Sequence, residues 1–406
     1  MQPDSRRTFL ASAALTAASA TRAIGANDRI RVAIIGTGGR GRSLMKLLNQ
    51  IGGIEWIAVC DVYDVRRAEA SQLAGGKVEQ YIDYQQVLAR QDVDAVIVAT
   101  PDHWHGKIAV DALNAGKDVY VEKPMVHYPA DGQAIVKAAR ANHRILQAGT
   151  QGRLLPHFVE AKQRFVDSGA MGKVGLVKTW YNGNSGYLMK APAGMEKKPD
   201  GLDWERWLGP QPRIPWNPEV YFSPYKWMHY DGGMIMGIGI HVIDDAHHLL
   251  GLTKPHAAMA GGGIYVYEDR DSPDVVSCVL DYPNKLTLTF EAECITCPGV
   301  RESGGVELRG TGGLLTVQRY ITGPQDTAFE YVPNKKFSRT PAGKGPGTSQ
   351  TAEYNLRNWL ECIRTRQKSV SNEEVAYYST MACFMANQAY KTRSRIEWDP
   401  AWDLPA

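Results

Sequence analysis

The sequence predicts an α/β protein in two parts, a doubly wound parallel sheet followed by an α+β domain with a large, open, mostly antiparallel sheet. Strand-like and helix-like segments alternate up to about residue 150, which is typical of a parallel sheet with right-handed crossovers. Beyond Gln151, strand-like runs follow one another without intervening helices, as in an antiparallel sheet. The length of 406 residues and the hydrophobic content of 44% suit two domains with sizeable cores.

The first predicted strand leads into a glycine-rich turn. Val32 to Ile35 is a short apolar run typical of a strand covered on both faces, and Gly36, Gly38 and Gly41 follow it with G-x-G-x-x-G spacing. The first glycine permits the tight turn, the second lets the backbone approach a pyrophosphate, and the third lets the helix pack closely on the strand. Free N–H groups at the helix N-terminus suit an anion. The predicted dinucleotide-binding loop comprises Gly36, Thr37, Gly38, Gly39, Arg40 and Gly41.

An acidic residue ends the second predicted strand. Asp61 lies 20 residues beyond Gly41, where a carboxylate can accept hydrogen bonds from a ribose 2′-hydroxyl and would repel a 2′-phosphate. We therefore expect NAD as the cofactor in preference to NADP. Arg66 and Arg67 come just after and could hold a 2′-phosphate, but we expect them to be solvated helix residues.

Later strands of the same sheet end in further polar segments. Strands are predicted over Asp94 to Thr100, Asp118 to Val121 and Ile145 to Ala148, with helices over Gly106 to Ala115 and Asp131 to Asn142. Ligands of such sheets bind at the carboxyl ends of the strands. A tryptophan at such an end suits either the cofactor or a seam between domains. The residues expected near the nicotinamide are Thr100, Pro101, His103, Trp104, His105, Glu122 and Lys123.

The second part of the chain combines strands, an irregular segment and terminal helices. Asn182 to Tyr225 is rich in Pro, Gly and Trp, which predicts a long loop facing a substrate or a subunit. Pro341 to Gly347 is predicted as a surface loop. Tyr354 to Arg366 and Glu374 to Arg393 have helical periodicity, and we expect both helices to cover the large sheet. The predicted strands are Val174 to Trp180, Ile264 to Tyr267, Val275 to Leu280, Leu286 to Glu291, Val306 to Arg309 and Leu314 to Val317.

The N-terminus resembles a twin-arginine export signal. Arg6 and Arg7 precede an Ala-rich, weakly apolar segment through Ala20, which is short for a membrane span and ends in small residues that suit cleavage. A disordered basic tail is the alternative. We expect a signal over 1–26 and a periplasmic or extracellular protein with no stable membrane anchor. Because this pathway carries folded proteins, NAD would be bound before export.

Charge and cysteine content narrow the choice of partners. The net charge of +3 is small and dispersed, and no basic run is interleaved with aromatics, so nucleic acid is not an expected partner. Cys294 and Cys297 form a C-x-x-C spacing without a second pair, so no metal site is predicted. The other cysteines that we considered lie in apolar runs, where cysteine behaves as a small buried hydrophobe. These are Cys60, Cys278, Cys362 and Cys383.

Six motifs in this order resemble those of the Gfo/Idh/MocA oxidoreductases, the glucose-fructose oxidoreductase and inositol dehydrogenase family. They are GTGGRG, ATPDHWH, VEKP, GTQGR, LDWERWLGP and GGMIMGIGIHVID. The resemblance implies a Rossmann domain over 29–150 that holds NAD(P), and a substrate and oligomerisation domain over 151–406. It also implies that Lys123, the lysine of E-K-P, lies near the nicotinamide and the reacting hydroxyl, and that His241 acts as an acid or base.

The sequence departs from this family at one position of the site. The family's aspartate four residues before the histidine falls on Gly237, so the usual Asp/His pair is broken unless Asp231, Asp244 or Asp245 replaces it. The resemblance also indicates substrate contacts. The expected substrate-binding residues are Arg153, which could instead be a salt-bridge residue at the domain junction, Tyr225, His241 and Asp244.

Three functions fit these patterns. The first is an NAD-dependent oxidoreductase acting on a secondary hydroxyl of a sugar, polyol or glycoside, with tightly bound NAD. The second is an NAD-dependent glycoside hydrolase that works through a transient keto-sugar, although the T-H-G-L-G-P-like pattern that we associate with such enzymes is absent. The third is a non-catalytic protein that binds NAD or sugar. An exposed face of the second sheet favours a homodimer or homotetramer.

Overall fold

The computed structural model describes residues 29–183, 190–295, 304–319, 327–334, 340–342 and 351–405. The predicted export signal, Cys297 and the greater part of the predicted 341–347 loop lie outside the described residues. In the described part, no helix combines the length and apolar character needed to cross a bilayer.

The N-terminal domain contains a sheet of six parallel strands in the order β3-β2-β1-β4-β5-β6. The strand order reverses between β1 and β4, which places a ligand crevice at the carboxyl ends of these strands. The doubly wound parallel sheet predicted from the sequence is confirmed. The strands are β1 (Ile30–Ile35), β2 (Ile54–Cys60), β3 (Glu79–Tyr81), β4 (Ala95–Val98), β5 (Asp118–Val121) and β6 (Leu146–Ala148).

Helices cover both faces of this parallel sheet. Successive residues of β1 point to opposite faces, so Val32 and Ile34 pack in one buried cluster while Ala33 and Ile35 pack in another. Both faces are apolar, which is why the strands appear in the sequence as continuous rather than alternating hydrophobic runs. The helices are α1 (Gly39–Ile51), α2 (Asp64–Leu73), α3 (Tyr84–Leu88), α4 (His105–Asn114) and α5 (Pro129–Asn142).

The second domain is built on a nine-stranded sheet in the order β14-β13-β12-β11-β7-β10-β9-β8-β15. Adjacent strands are antiparallel except β7 and β10, which pair in parallel, and this confirms the predicted mostly antiparallel sheet. The strands are β7 (Val174–Asn182), β8 (Ala257–Gly263), β9 (Val275–Tyr282), β10 (Leu286–Glu293), β11 (Gly304–Gly310), β12 (Gly313–Gln318), β13 (Phe329–Pro333), β14 (Thr340–Ala342) and β15 (Ile396–Glu397).

One predicted strand of this sheet is displaced. The expectation of a strand over Ile264 to Tyr267 is wrong, because the strand is the preceding run of small residues, β8. The backbone N–H groups of Tyr265, Val266 and Tyr267 donate to the carboxylate of Asp274 at 2.7–2.9 Å. They therefore bond a side chain instead of a neighbouring strand.

The remaining helices follow residue 151 in the chain. The last two helices of the chain were both expected on the large sheet. This is correct for α11 (Glu373–Thr392), which packs against β8, but not for α10 (Thr351–Thr365). The helices are α6 (Pro156–Ala161), α7 (Trp204–Leu208), α8 (Pro218–Phe222), α9 (Ile240–Leu250), α10 (Thr351–Thr365) and α11 (Glu373–Thr392). Lys162–Asp167 and Ile235–Gly239 are π-helical, and Asp102–Trp104, Gln151–Leu154, Pro224–Lys226 and Pro400–Trp402 are 3₁₀ turns.

Helix α10 packs on the parallel sheet of the first domain. Its residues Leu356, Trp359 and Leu360 are buried with Val32 and Ile34 of β1 in one cluster. Trp359 also meets a tyrosine of β5 edge to face, with ring centroids 5.7 Å apart. The C-terminal part of the chain thus completes the core of the N-terminal domain.

We expect Trp359→Ala to lower the free energy of unfolding by about 3–5 kcal/mol, because it leaves a cavity beneath the parallel sheet. Urea denaturation followed by circular dichroism measures this loss. Arg357→Ala on the exposed face of the same helix, where the arginine pairs only with Glu353, is the matched control and should cost about 0.5 kcal/mol or less. Equal losses for the two variants would contradict the packing described for α10.

Candidate active site

A cavity of about 660 Å³ lies where the carboxyl ends of β1, β2, β4 and β5 face the second domain. The N-terminal wall includes the glycine loop, Asp61 and Lys123, and the opposite wall includes Tyr225 and His241. A cleft of this size at the point where strand order reverses is the expected ligand site of an α/β sheet. Of the predicted cofactor contacts, Thr100, Pro101, Trp104, His105 and Glu122 also line the cavity.

Crowding explains why the loop needs glycine. A Cβ on Gly36 would lie 2.5 Å from backbone atoms of Ala99 and Thr100, and one on Gly41 would lie 2.1 Å from the carbonyl oxygen of Gly36. Gly39, at the first turn of α1, has nothing within 4 Å of its Cβ position. The loop is therefore packed tightly against β4 and the start of α1 while the helix N-terminus stays open. This arrangement fits a pyrophosphate.

The loop after β1 is tied to the acid at the end of β2. The Asp61 carboxylate accepts hydrogen bonds from the backbone N–H groups of Thr37 at 2.7 Å and Tyr63 at 3.0 Å. The expectation that the next two arginines are solvated is wrong. Arg67 donates to the Asp61 carbonyl, and the Arg66 guanidinium lines the cavity 4.7 Å above the ring of Tyr221. The Arg66 guanidinium and the Asp61 carboxylate, which is expected to bind the ribose, therefore line the same cavity.

The two residues that directly follow β5 contact other parts of the site. Lys123, just after β5, donates from Nζ to the carbonyl oxygen of Gly237 at 2.7 Å. The preceding Glu122 pairs with Arg40 of the glycine loop at 2.7 Å. The position where the family's aspartate is missing thus contributes its backbone oxygen to the lysine. The carboxylate of Glu122 is engaged by the arginine of the loop.

His241 is fixed in one tautomer by its neighbour. Its Nδ1 lies 3.0 Å from Nη2 of Arg319, which is itself paired with Asp245 at 2.6 Å. A guanidinium can only donate hydrogen bonds, so Nδ1 accepts and the neutral ring carries its proton on Nε2. Burial, together with the charges of Arg319 and Lys123, lowers the pKa of His241 well below its usual range. The ring is therefore a neutral hydrogen-bond donor at the cavity wall.

Two carboxyl groups meet in the cavity beside Lys123. Asp102 follows β4 and Asp231 precedes the π-helical turn of the second domain, and their side chains lie within hydrogen-bonding reach of each other. Burial raises the pKa of both groups, and the charge of Lys123 opposes the rise. Oδ2 of Asp102 and Oδ1 of Asp231 are buried without a partner among the described residues. From the sequence, Asp231 was considered as a replacement acid, whereas Asp102 was placed only within the polar segment after β4 and was given no role of its own.

The irregular segment of the second domain covers one side of the cavity. Trp204, Trp207, Trp216 and Tyr221 pack on one another, with centroids of the first two rings 4.8 Å apart. Because the rings are engaged in this cluster, they form a structural cover rather than a row of exposed sugar-stacking faces. Trp104 packs against the cover and donates to the Trp207 carbonyl at 3.0 Å.

Comparison with known proteins agrees with this geometry in both domains. Residues 30–150 match the Gfo/Idh/MocA model for an oxidoreductase family with an NAD-binding Rossmann fold, and residues 211–316 match the Gfo/Idh/MocA C-terminal domain. The chain belongs to the Gfo/Idh/MocA family. Its N-terminal domain is an NAD-binding Rossmann domain, and NAD is the cofactor that this domain binds.

Individual relatives of this Gfo/Idh/MocA protein include dehydrogenases. An inositol 2-dehydrogenase of Salmonella typhimurium is 32% identical over 183 residues, which cover 44% of this chain and 54% of the relative. A glycosyl hydrolase family 109 protein of Solibacter usitatus is 33% identical over 128 residues, covering 29% of each chain. The chain thus spans about half, or less, of the length of these curated relatives.

Solved structures share the fold over most of the chain. Levoglucosan dehydrogenase in complex with NADH and levoglucosan superimposes with a TM-score of 0.71 at 17% identity, covering 91% of this chain and 99% of that one. GenD2 from gentamicin A biosynthesis, in complex with NAD, has a TM-score of 0.69 at 19% identity and covers 92% and 97%. At these identities the likeness concerns the fold.

Several predicted site residues of this family member lie away from the cavity. Arg153 and Asp244 form a buried ion pair at 2.7 Å, and Ser379 donates to the same carboxylate at 2.6 Å. Their charges neutralise each other at the domain junction, so the geometry supports the salt-bridge alternative over substrate binding. His103 does not line the cavity either, because it contacts the Trp207 carbonyl at 2.9 Å within the aromatic cover.

The five cysteines among the described residues are all buried and unpaired. Burial raises the pKa of Cys278 to about 12 and that of Cys294 to about 11, so these thiols are protonated at neutral pH. Cys60, Cys362 and Cys383 behave likewise as small apolar residues. Across the described ranges, no group of three or more His, Cys, Asp or Glu side chains is arranged to hold a metal ion.

We expect Gly41→Ala to weaken NAD binding about tenfold or more, because the added Cβ displaces the Gly36 carbonyl and with it the loop. Isothermal titration of the nucleotide-free protein with NAD measures the change. Gly175→Ala, at an open position of β7, is the control and should bind NAD as the wild type does. An unchanged affinity in Gly41→Ala would show that the loop does not hold the cofactor.

We expect Asp61→Asn to reduce the preference for NAD over NADP by about tenfold, because it removes the charge that repels a 2′-phosphate and leaves Arg66 to attract one. The amide oxygen still accepts from the Thr37 N–H, so the loop keeps its shape. Titrations with both nucleotides measure the ratio, and Glu55→Ala, at an exposed position near the start of β2, is the control. A ratio equal to that of the wild type would remove Asp61 from cofactor selection.

Proposed function

We propose that the protein is an NAD-dependent oxidoreductase that acts on a secondary hydroxyl of a sugar, polyol or glycoside. The observation that carries the proposal is the meeting of Lys123, His241 and a carboxyl pair at one end of an NAD-binding crevice. When bound, NAD supplies a hydride acceptor at its nicotinamide ring. The inositol 2-dehydrogenase relatives support a polyhydroxylated substrate.

The side chains at this end of the cavity suit hydroxyl chemistry. The Lys123 ammonium has three donors and spends one on the Gly237 carbonyl, so the others are available to a substrate oxygen. Nε2–H of His241 is a second donor for that oxygen. Both donors stabilise negative charge that develops as the hydroxyl loses its proton. Trp207 and Tyr221 of the aromatic cover also line the cavity, and apolar surroundings strengthen such interactions.

The fixed cover supports retention of NAD through turnover. Backbone hydrogen bonds join it to the end of β2, from Asp203 to the Val62 carbonyl at 2.9 Å and from Asp64 to the Gly201 carbonyl at 3.2 Å. Lys226, fully buried at the base of the cover, pairs with Glu219 and Asp269 at 3.1 and 2.6 Å. Because these contacts tie the cover to the end of β2 and to Asp269, we expect the cover to open rarely and a nucleotide beneath it to dissociate slowly.

Retained NAD is compatible with export of the folded protein, and we include a periplasmic or extracellular location in the proposal on the strength of the twin-arginine pattern.

We also include a homo-oligomer in the proposal. Its support is a group of exposed apolar side chains at and after β8, formed by Met259, Ile264, Tyr265 and Val266.

A second candidate function is redox-neutral cleavage of a glycoside through a transient keto-sugar. The glycosyl hydrolase family 109 relative favours it, as does a carboxyl group of raised pKa that can protonate a leaving aglycone. One assay separates the candidates. The purified protein is analysed for bound nucleotide and given myo-inositol, levoglucosan and nitrophenyl glycosides, while reduced nicotinamide and released nitrophenol are followed.

Each outcome of this assay selects one function. Reduced nicotinamide without nitrophenol supports the oxidoreductase, whereas nitrophenol without net reduction supports the glycosidase. Bound NAD with neither signal, across a panel extended to other sugars and polyols, would leave a binding protein and overturn both catalytic proposals.

We expect Lys123→Ala to lower kcat by about 10²-fold or more, because the substrate oxygen loses a positively charged donor. Bound NAD is quantified in parallel so that a lost cofactor is not mistaken for lost chemistry. Lys107→Ala, an exposed lysine on α4 paired with Asp111, should retain the wild-type rate. A wild-type rate in Lys123→Ala would remove this lysine from the reacting centre.

A further inference from the structure

We propose that Asp231 accepts the proton of the substrate hydroxyl and that Asp102 positions it by sharing one proton with it. This inference rests on the proposed oxidoreductase function and names the group that replaces the aspartate missing at Gly237.

The two carboxyl groups come from different domains and converge on one point. Asp102 begins the 3₁₀ turn at the carboxyl end of β4, and Asp231 lies in the loop before the π-helical turn Ile235–Gly239. Both line the cavity together with Lys123 and His241. Oδ2 of Asp102 and Oδ1 of Asp231 are buried without another partner among the described residues, as expected for two oxygens that share one proton.

The charges around the pair set its protonation. Asp102 faces Asp231, Lys123 and Glu122, while Asp231 faces Lys123 and Asp102. The Tyr225 hydroxyl also lies near both, and burial raises its pKa to about 12, so it is neutral. Two adjacent buried carboxylates repel each other. Within the described part of the chain, Lys123 is the cation that faces the pair and offsets this repulsion, whereas the nearby negative charge of Glu122 is paired with Arg40. One shared proton leaves a net charge of −1 beside the +1 of the lysine.

We assign the shared proton mainly to Asp102, because Asp102 faces the carboxylate of Glu122 as well as that of Asp231, and a second negative charge disfavours its ionised form. Burial and the charge of Asp231 raise the pKa of Asp102 well above its usual range, whereas the hydrogen bond from Asp102 restrains the rise at Asp231. Asp231 is therefore the anion of the pair. A buried anionic carboxylate beside the donors that hold the hydroxyl is a suitable proton acceptor.

His241 is less suited to the same task. Its Nδ1 lone pair accepts from Arg319, and its Nε2 already carries a proton. To accept another proton, the ring would become a cation beside Arg319 and Lys123, and burial with these charges holds its pKa well below the usual range. The imidazole therefore orients the hydroxyl as a donor, and the carboxylate removes the proton.

The reaction balances without a further reactant. The substrate O–H bond breaks and its proton moves to the Asp231 carboxylate, while the oxygen electron pair forms the carbonyl. The adjacent C–H bond breaks and its two electrons leave as hydride to the NAD of the proposed function, so the alcohol is oxidised and NAD is reduced.

A spectroscopic experiment tests the shared proton without any substrate. The NAD-bound protein carrying ¹³C-labelled aspartate carboxyls is compared at neutral pH with its Asp102→Asn variant by infrared difference spectroscopy. We expect the wild type to show the C=O stretch of a protonated aspartic acid that Asp102→Asn lacks. Asp92→Asn, an exposed residue paired with Arg90, should remove no such band. If every such band persists in Asp102→Asn, the proposal of a shared proton is overturned.

Kinetics test the two roles separately. We expect Asp231→Asn to lower kcat by about 10²-fold or more with little change in KM and with wild-type NAD content. Asp102→Asn should keep more activity but move the acid limb of the kcat/KM profile to higher pH, because an amide donates a weaker hydrogen bond than a carboxyl group and so stabilises the Asp231 carboxylate less. Circular dichroism and bound NAD establish that each variant is folded.

The results distinguish this inference from the function on which it rests. If the wild type oxidises a substrate and Asp231→Asn does so within about threefold of its rate, the carboxylate is not the acceptor although the oxidoreductase stands. An unmoved pH profile in Asp102→Asn would likewise overturn its positioning role. If no substrate is oxidised, the proposed function fails, and the infrared comparison alone decides whether the pair shares a proton.

Discussion

The hydrogen bond from Lys123 to the carbonyl of Gly237 joins the two halves of the site. The lysine follows the fifth strand of the Rossmann sheet, and the carbonyl belongs to the π-helical turn that leads into the helix bearing His241. Neither domain holds the whole of the proposed reacting centre, because the lysine and Asp102 come from one and His241 and Asp231 from the other. The chemistry therefore depends on how the domains dock. The buried pair of Arg153 and Asp244 supports that docking.

A backbone oxygen replaces a side chain at the missing family position. Gly237 cannot supply a carboxylate, yet its carbonyl still bonds the lysine, so the lysine is held without the usual acid. In our proposal, the negative charge that the family places there lies instead on the pair of Asp102 and Asp231, which faces the same lysine. A site can thus lack a motif carboxylate and still have a negative charge beside its lysine, when carboxylates from other segments face that lysine.

Local sequence signals predicted the parts of the site that depend on short segments. The glycine loop, Asp61 and Lys123 were found because each follows a buried strand, and strand ends of a parallel sheet converge. Tertiary relations were not visible in this way. The partner of Arg153, the tautomer of His241 and the meeting of Asp102 with Asp231 each join residues more than 75 positions apart. The strand expected at Ile264 to Tyr267 was wrong because the carboxylate of Asp274 competes for its backbone N–H groups.

The return of the C-terminal helix to the first sheet has a consequence for folding during synthesis. When residues 30–150 have left the ribosome, the apolar face that Leu356 and Trp359 will cover is still bare. The nucleotide site can form only loosely until the chain beyond residue 351 is made, about 200 residues later. Long-range closure of this kind is slow, and it exposes an apolar surface to chaperones during the wait. Cofactor loading is therefore expected to follow synthesis rather than accompany it.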